Sequence, residues 1–209
     1  MLKTTIINFI MKRVFYFSVA LIFLMAGCYP AGPEYYEELD VVYTNYDDEF
    51  DFASKGTYSM PDKIVKITGN LLEGEDPEFV KEPYNTQMLQ RMESNMSNLG
   101  YAKSDDPENA DITLFPVVWT NTTITYWYDY WCWWNPYYCG WGWGYPYVSS
   151  YTTGTLVMTL VADGGVEPVI AWTAAANGLL SGYYNDSRVN NAIDQAFEQS
   201  PYLSRKTPK

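Results

Sequence analysis

Residues 154–162 and 168–176 are two runs of nine residues separated by a five-residue turn that begins Asp163-Gly164-Gly165, and this arrangement constrains the fold more than any other part of the chain. A β-rich run, a glycine turn and a second β-rich run predict an antiparallel hairpin. Alternation places Leu156, Met158 and Leu160 on one face of its first strand, and Ile170, Trp172 and Ala174 on one face of its second. Residues 111–125 form a third long strand candidate. Nearer the start, the β-branched and aromatic runs 41–46 and 50–58 flank Asp47-Asp48-Glu49 and predict another hairpin, with residues 63–68 as a further strand.

Two helices complete the pattern. Met88, Leu89, Met92, Met96 and Leu99 recur at helical spacing between Asn85, the expected N-cap, and Gly100, the expected stop. Ser187 is the expected N-cap of a helix to Gln199, whose buried stripe is Val189, Ala192, Ile193, Ala196 and Phe197 and which ends before Pro201. Two helices on one face of a mostly antiparallel sheet predict an α+β two-layer sandwich. With no internal repeat and no later linker, residues 41–209 read as a single domain.

The segment before it has another purpose. Lys12-Arg13 precedes twelve uncharged residues, 14–25, too few for the roughly 20 that span a bilayer but matching the apolar region of an export signal. Met11 would make a more typical start than Met1. The sequence Leu24-Met25-Ala26-Gly27-Cys28 resembles the lipobox of bacterial lipoproteins, which implies cleavage before Cys28 and acylation, palmitate included, of that residue. Two or more acyl chains anchor stably where one is marginal. The same resemblance to bacterial lipoproteins implies delivery to the outer membrane, because Tyr29 stands in place of the retention aspartate, and a periplasmic orientation, because the first acid arrives only at Glu34. Residues 28–40 form the tether, spanning on the order of 20 Å as a flexible coil. Loss of 27 residues leaves 182 of 209, and loss of Lys3, Lys12 and Arg13 deepens the formal charge from -12 to -15.

A resemblance rests on an ordered series of short motifs. Tyr46-Asp47, Asp51-Phe52, Lys55-Gly56-Thr57-Tyr58, a helix ending Gly100-Tyr101, Asn109-Ala110-Asp111, Gly154-Thr155-Leu156-Val157 with Asp163, and Trp172 before a last helix together resemble family 4136 of the domains of unknown function. The likeness spans nearly all of the mature chain. It implies a bacterial envelope lipoprotein, in agreement with Cys28, and implies no chemistry. The chain departs from the pattern at Thr173-Ala174, where the family often carries a glycine, and in its aromatic insert.

That insert, residues 126–147, is aromatic at 13 of its 22 positions and holds six of the eight tryptophans: Trp127, Trp131, Trp133, Trp134, Trp141 and Trp143. Lying between two strand candidates, it reads as the connection of a long hairpin. Cys132 and Cys139 can pair within it in an oxidising compartment, with about 2.5 kcal/mol of stabilisation from the short loop they close. Two thiolates without histidine do not complete a metal shell. Three readings of the aromatics stay open: a second small core over the open sheet face, a contact surface for a glycan or an envelope protein, and a surface for the bilayer interface.

The chain has no histidine, which removes histidine-dependent nucleophile pairs, acid–base work and metal sites together. With 13 basic residues against 25 acidic ones it also lacks the charge to bind nucleic acid. The surviving catalytic option is a carboxylate pair acting on envelope glycans. Its candidates, Asp47, Asp48, Glu49 and Asp51 or Asp105, Asp106, Glu108 and Asp111, sit in clusters that read first as solvated turns. Asp47, Glu49 and Asp51 begin like a calcium loop, but Phe52 and Tyr58 occupy the positions of its glycine and bidentate glutamate. The expectation is therefore a non-catalytic binding or structural module, tethered to the membrane through Cys28, with no cofactor and no metal.

Overall fold

The computed structural model describes residues 42–68, 76–120, 134, 154–164, 168–179 and 185–205, all within the unit Leu39–Lys209. Among them are eight strands and two helices. In chain order these are β1 (Val42–Tyr46), β2 (Thr57–Ser59), β3 (Val65–Ile67), β4 (Glu78–Phe79), α1 (Tyr84–Leu99), β5 (Ala102–Lys103), β6 (Ile112–Trp119), β7 (Thr155–Ala162), β8 (Val169–Ala176) and α2 (Asp186–Glu198).

The predicted hairpin forms the centre of the sheet. β7 pairs antiparallel with β8 on one side and with β6 on the other, where the register runs from Ile112↔Ala162 to Trp119↔Thr155. β1 closes one edge, antiparallel to β8. The outer side of β6 is shared by two short strands laid end to end, both parallel to it: β2 against Ile112 and Thr113, β3 against Val117 to Trp119. Pro116 sits in the gap between them. A proline donates no ladder hydrogen bond, so a central strand tolerates one only where pairing is interrupted. β5 then lies outside β2, and β4 outside β3.

Both helices pack on one sheet face, as the α+β two-layer arrangement requires. Met88, Met92 and Met96 of α1 and Val189, Ile193 and Phe197 of α2 share one core with Leu114, Leu156, Met158, Leu160 and Trp172. Arg91 bridges the helices by donating Nε–H to Asp194 Oδ1 at 2.6 Å, and Asn95 donates to the same oxygen at 2.9 Å. Trp172, wholly buried, donates its indole N–H to Ser200 Oγ at 2.8 Å, and Ser200 donates onward to the Ala196 carbonyl at 2.9 Å. The tryptophan thereby fixes the end of α2 to β8.

Four expectations from the sequence are corrected. Residues 50–58 form no hairpin with β1. Asp51 instead accepts the Ser54 N–H at 3.3 Å and caps a 3-10 turn over Phe52–Ser54, after which the chain joins β6. Asn85 does not cap α1; the Glu82 carboxylate accepts the Thr86 N–H at 3.2 Å. Asn85 is left to join segments, accepting from Ile64 N–H at 2.8 Å and donating to the Asp62 carbonyl at 2.9 Å. α2 is capped by Asn185, which accepts the Arg188 N–H at 3.1 Å, so Ser187 falls inside its first turn. Finally, a β-bulge between β7 and β8 pairs Leu160 with Trp172 but Val161 with Ile170. The extra residue, Ala171, reverses the alternation and turns Ile170 away from the helix-side core. The Gly100 stop stands as expected: its φ of 99° is a left-handed conformation suited to glycine.

Replacing Trp172 by Phe removes the one indole donor to Ser200 and, with it, part of the buried ring system. The expected result is a loss of about 1–3 kcal/mol, read as a lower midpoint in thermal or urea unfolding followed by far-UV circular dichroism.

Candidate functional site

All eight residues of β6 and of β7, and the last six of β8, are buried on both faces of the sheet. The helices account for one face. On the other, Phe115, Val117, Trp119, Val157, Val161 and Ala175 are each 3% exposed or less, although no helix among the described residues covers them. One residue of the aromatic insert does reach this face. Trp134 meets Phe115 edge-on, with ring centroids 5.4 Å apart and planes at 88°, the geometry that the aromatic quadrupoles favour.

Of the residues singled out in the sequence, Trp134 is thus placed. Cys28, Cys132, Cys139, Trp127, Trp131, Trp133, Trp141 and Trp143 lie outside the described residues, as do residues 121–125 of the predicted long strand.

The acidic clusters have local bonding roles. Asp47 accepts the Glu49 N–H at 3.0 Å, and Asp106 accepts the Glu108 N–H at 3.0 Å and the Asn109 amide at 2.6 Å. Asp111 is a long-range clamp. Its Oδ2 accepts the N–H groups of Gly56 and Thr57, both at 2.7 Å, and the Thr57 hydroxyl at 2.8 Å, while its own N–H donates back to Thr57 Oγ1 at 3.0 Å. Two of the motifs that carry the family resemblance therefore meet in one joint, which sets β2 alongside β6.

The electrostatics agree with bonding roles. The Gly56 and Thr57 backbone donors hold Asp111 below its ordinary range, and the Asn109 amide holds Asp106 low. The Thr86 hydrogen bond does the same for Glu82. Burial works to raise Asp194, but the bonds from Arg91 and Asn95 outweigh it and keep it low. A glycosidase-type general acid needs the opposite displacement. Burial pushes the Tyr101 hydroxyl up to about 12, where it donates to the Leu203 carbonyl at 3.0 Å. No group of three or more metal-ligating side chains occurs among the described residues, and none of their helices is long and apolar enough to cross a membrane.

At the edge where β1 meets β8 lies a cavity of about 230 Å³, lined by residues of both faces: Asn45, Tyr46, Asp47, Ile170, Trp172 and Thr173. Asn45 and Thr173 are register partners, and Thr159 is the next partner inward. Cross-strand partners share a face, so these three make a polar row that leads to Phe115 opposite Thr159. The bulge at Ala171 brings Ile170 to the same side. Tyr43, two residues before Asn45, is 43% exposed on that edge. None of the cavity's polar residues other than Asp47 stands out in the sequence as a site. Only the pairing of β1 with β8, which joins residues 128 positions apart, brings them together.

Comparison with known proteins places the architecture. The model of a domain of unknown function, DUF4136, matches residues 42–202. A crystal structure of a DUF4136 family protein from Bacteroides thetaiotaomicron is 28% identical, with a TM-score of 0.62 over 80% of this chain and 98% of that one. A PDZ domain protein from Parabacteroides distasonis gives 14% identity and a TM-score of 0.45 over 78% of this chain and 36% of that one. A PelC dodecamer from Paraburkholderia phytofirmans gives 10% and 0.41 over 80% and 99%. None of the curated proteins matches the sequence.

The Asp111 clamp has a pH signature. Because its folded pKa is depressed, the stability it contributes is complete above the ordinary carboxylate range, about pH 4, and is lost as pH falls through the lower folded value. Asp111→Ala should lower the melting midpoint at neutral pH by on the order of 2–4 °C. The gap to the parent protein should close in acid, as a series of thermal melts from neutral pH downward will show.

Proposed function

Because the chain belongs to the DUF4136 family, whose function is unknown, we propose that it is a non-catalytic envelope lipoprotein, anchored through Cys28, whose aromatic insert forms a contact surface for a glycan. The observation that carries this reading is the Trp134–Phe115 contact. It supports contact between the insert and the second face of the sheet at Trp134. Trp and Tyr rings are apolar on their faces and polar at one edge, which suits them to recognition surfaces. Anchoring is supported by the sequence alone: the Lys12-Arg13 start, the apolar run to Met25 and the Leu24-Met25-Ala26-Gly27-Cys28 junction. Delivery to the outer membrane, facing the periplasm, follows from Tyr29 and the late first acid. A carboxylate hydrolase is the weaker reading, since among the described residues each acid with a displaced pKa is displaced downward.

Two measurements test the proposal. Expressed in a bacterial host, the parent chain should incorporate labelled palmitate and sediment with membranes, whereas Cys28→Ser should do neither; equal behaviour would remove the anchor. In detergent micelles, the full chain should shift or quench its tryptophan fluorescence when titrated with peptidoglycan or polysaccharide fragments. An unchanged spectrum with every fragment would remove the glycan surface.

A further inference from the structure

β1 is an outer strand of the sheet, paired with β8 on one side and with no second strand among the described residues. The Asp47 N–H donates to the Ala171 carbonyl at 3.0 Å, one position beyond the Tyr46↔Trp172 pair. Bonded and unbonded pairs alternate along an antiparallel ladder, so Asn45 and Tyr43 also turn their backbone groups towards β8. Thr44 and Tyr46 therefore turn theirs outward, and no described residue bonds to those outward groups.

Sheet edges are ordinarily guarded by lysine, proline, a bulge or sheer brevity. The other outer strands follow that rule: β4 and β5 are two residues long, and β5 contains Lys103. β1 does not. Its residues Val42, Tyr43, Thr44, Asn45 and Tyr46 include no charge and no proline, and their register against β8 runs without a break. Tyr43 and Tyr46, at 43% and 42%, are the two most exposed large apolar side chains among the described residues. They lie on opposite faces of the strand, and Tyr46 is held in place by stacking on Tyr202, with ring centroids 3.7 Å apart. An incoming strand thus meets unpaired backbone groups along the edge and an aromatic ring on either side of it.

Charge selects the occupant. β1 runs directly into Asp47, Asp48 and Glu49; the last two are exposed, and none of the three joins an ion pair among the described residues. Pairing with a second copy would bring together two chains that each carry 25 acidic residues against 13 basic ones, and two such acidic turns. Like charges across a strand pair are unfavourable. An extended segment with lysine or arginine at its ends meets the carboxylates with opposite charge while its backbone continues the ladder. Strand addition of this kind takes affinity from main-chain bonds and specificity from alternate side chains.

We propose that the outer edge of β1 is a docking site for an extended, basic segment of a partner protein, added to the sheet as a further strand. The proposal goes beyond the glycan surface and uses no residue of the aromatic insert. The test uses the full chain in detergent micelles and a fluorescently labelled synthetic peptide of alternating valine and threonine with lysine at both ends, followed by anisotropy. Two further probes are the same peptide with glutamate at both ends and a version N-methylated at every second residue, which cannot donate along one edge.

The lysine-ended peptide should bind, and the glutamate-ended and N-methylated peptides should bind about tenfold more weakly or not at all. Thr44→Pro removes an outward N–H and leaves the bonds to β8, so it should stay folded and lose the peptide. Asp48→Lys should weaken the lysine-ended peptide and strengthen the glutamate-ended one. Silence towards the lysine-ended peptide would overturn the proposal, as would equal binding of the N-methylated peptide, which needs no variant to fold. Self-association of the parent chain that Thr44→Pro abolishes would also overturn it, by giving the edge to a second copy.

Discussion

The arrangement depends on three eight-residue strands, β6, β7 and β8, that are buried on both faces. A sheet with helices on one side only would ordinarily be wet on the other, with polar residues alternating along each strand. Here Phe115, Val117 and Trp119 of β6 alternate with Leu114 and Val118, and both sets are buried. The helix-side half of that pattern is anchored by the Trp172–Ser200 bond and the Arg91–Asp194 pair. The other half makes its identified ring contact through Trp134. An aromatic insert between β6 and β7 therefore lies in the part of the chain best placed to serve the second face, because both its ends emerge from the two central strands.

Elements with a strong period were legible in the sequence. The β7–β8 hairpin, the helix over Met88 to Leu99 and its Gly100 stop could be read because each rests on local periodicity or on one special backbone angle. Two of the misses share a different cause, namely side chains recruited by distant segments, whereas Ser187 is displaced as cap by Asn185, two residues away. Asn85 looked like a cap but is bonded to Ile64 and Asp62, and residues 50–58 looked like a hairpin arm but are held by Asp111 at the start of β6. The bulge at Ala171 carries no local signature, and without it Ile170 would face the helices. For Asn85 and for residues 50–58 the deciding partner lies many residues away.

The same contrast governs the site. The tryptophans of the insert were conspicuous by composition, and one of them, Trp134, meets the sheet. The polar cavity was not conspicuous, because Asn45 and Thr173 become neighbours only through the β1–β8 register. One hint existed: Thr173 lies at a position where the sequence departs from its family resemblance. The acids, abundant enough to suggest catalysis, are absorbed into turns and into the joint between β2 and β6. Charge is used here to hold the fold.

The central claim is that Trp134 shields the second sheet face at Phe115. Hydrogen–deuterium exchange of the full chain, resolved along β6, β7 and β8 and compared with Trp134→Ala, tests it most directly. Shielding predicts slow exchange across all three strands in the parent protein and faster exchange in the variant, greatest around Phe115 and Thr159, with α1 and α2 unchanged. Exchange along β6 to β8 that is identical in the two proteins would contradict it.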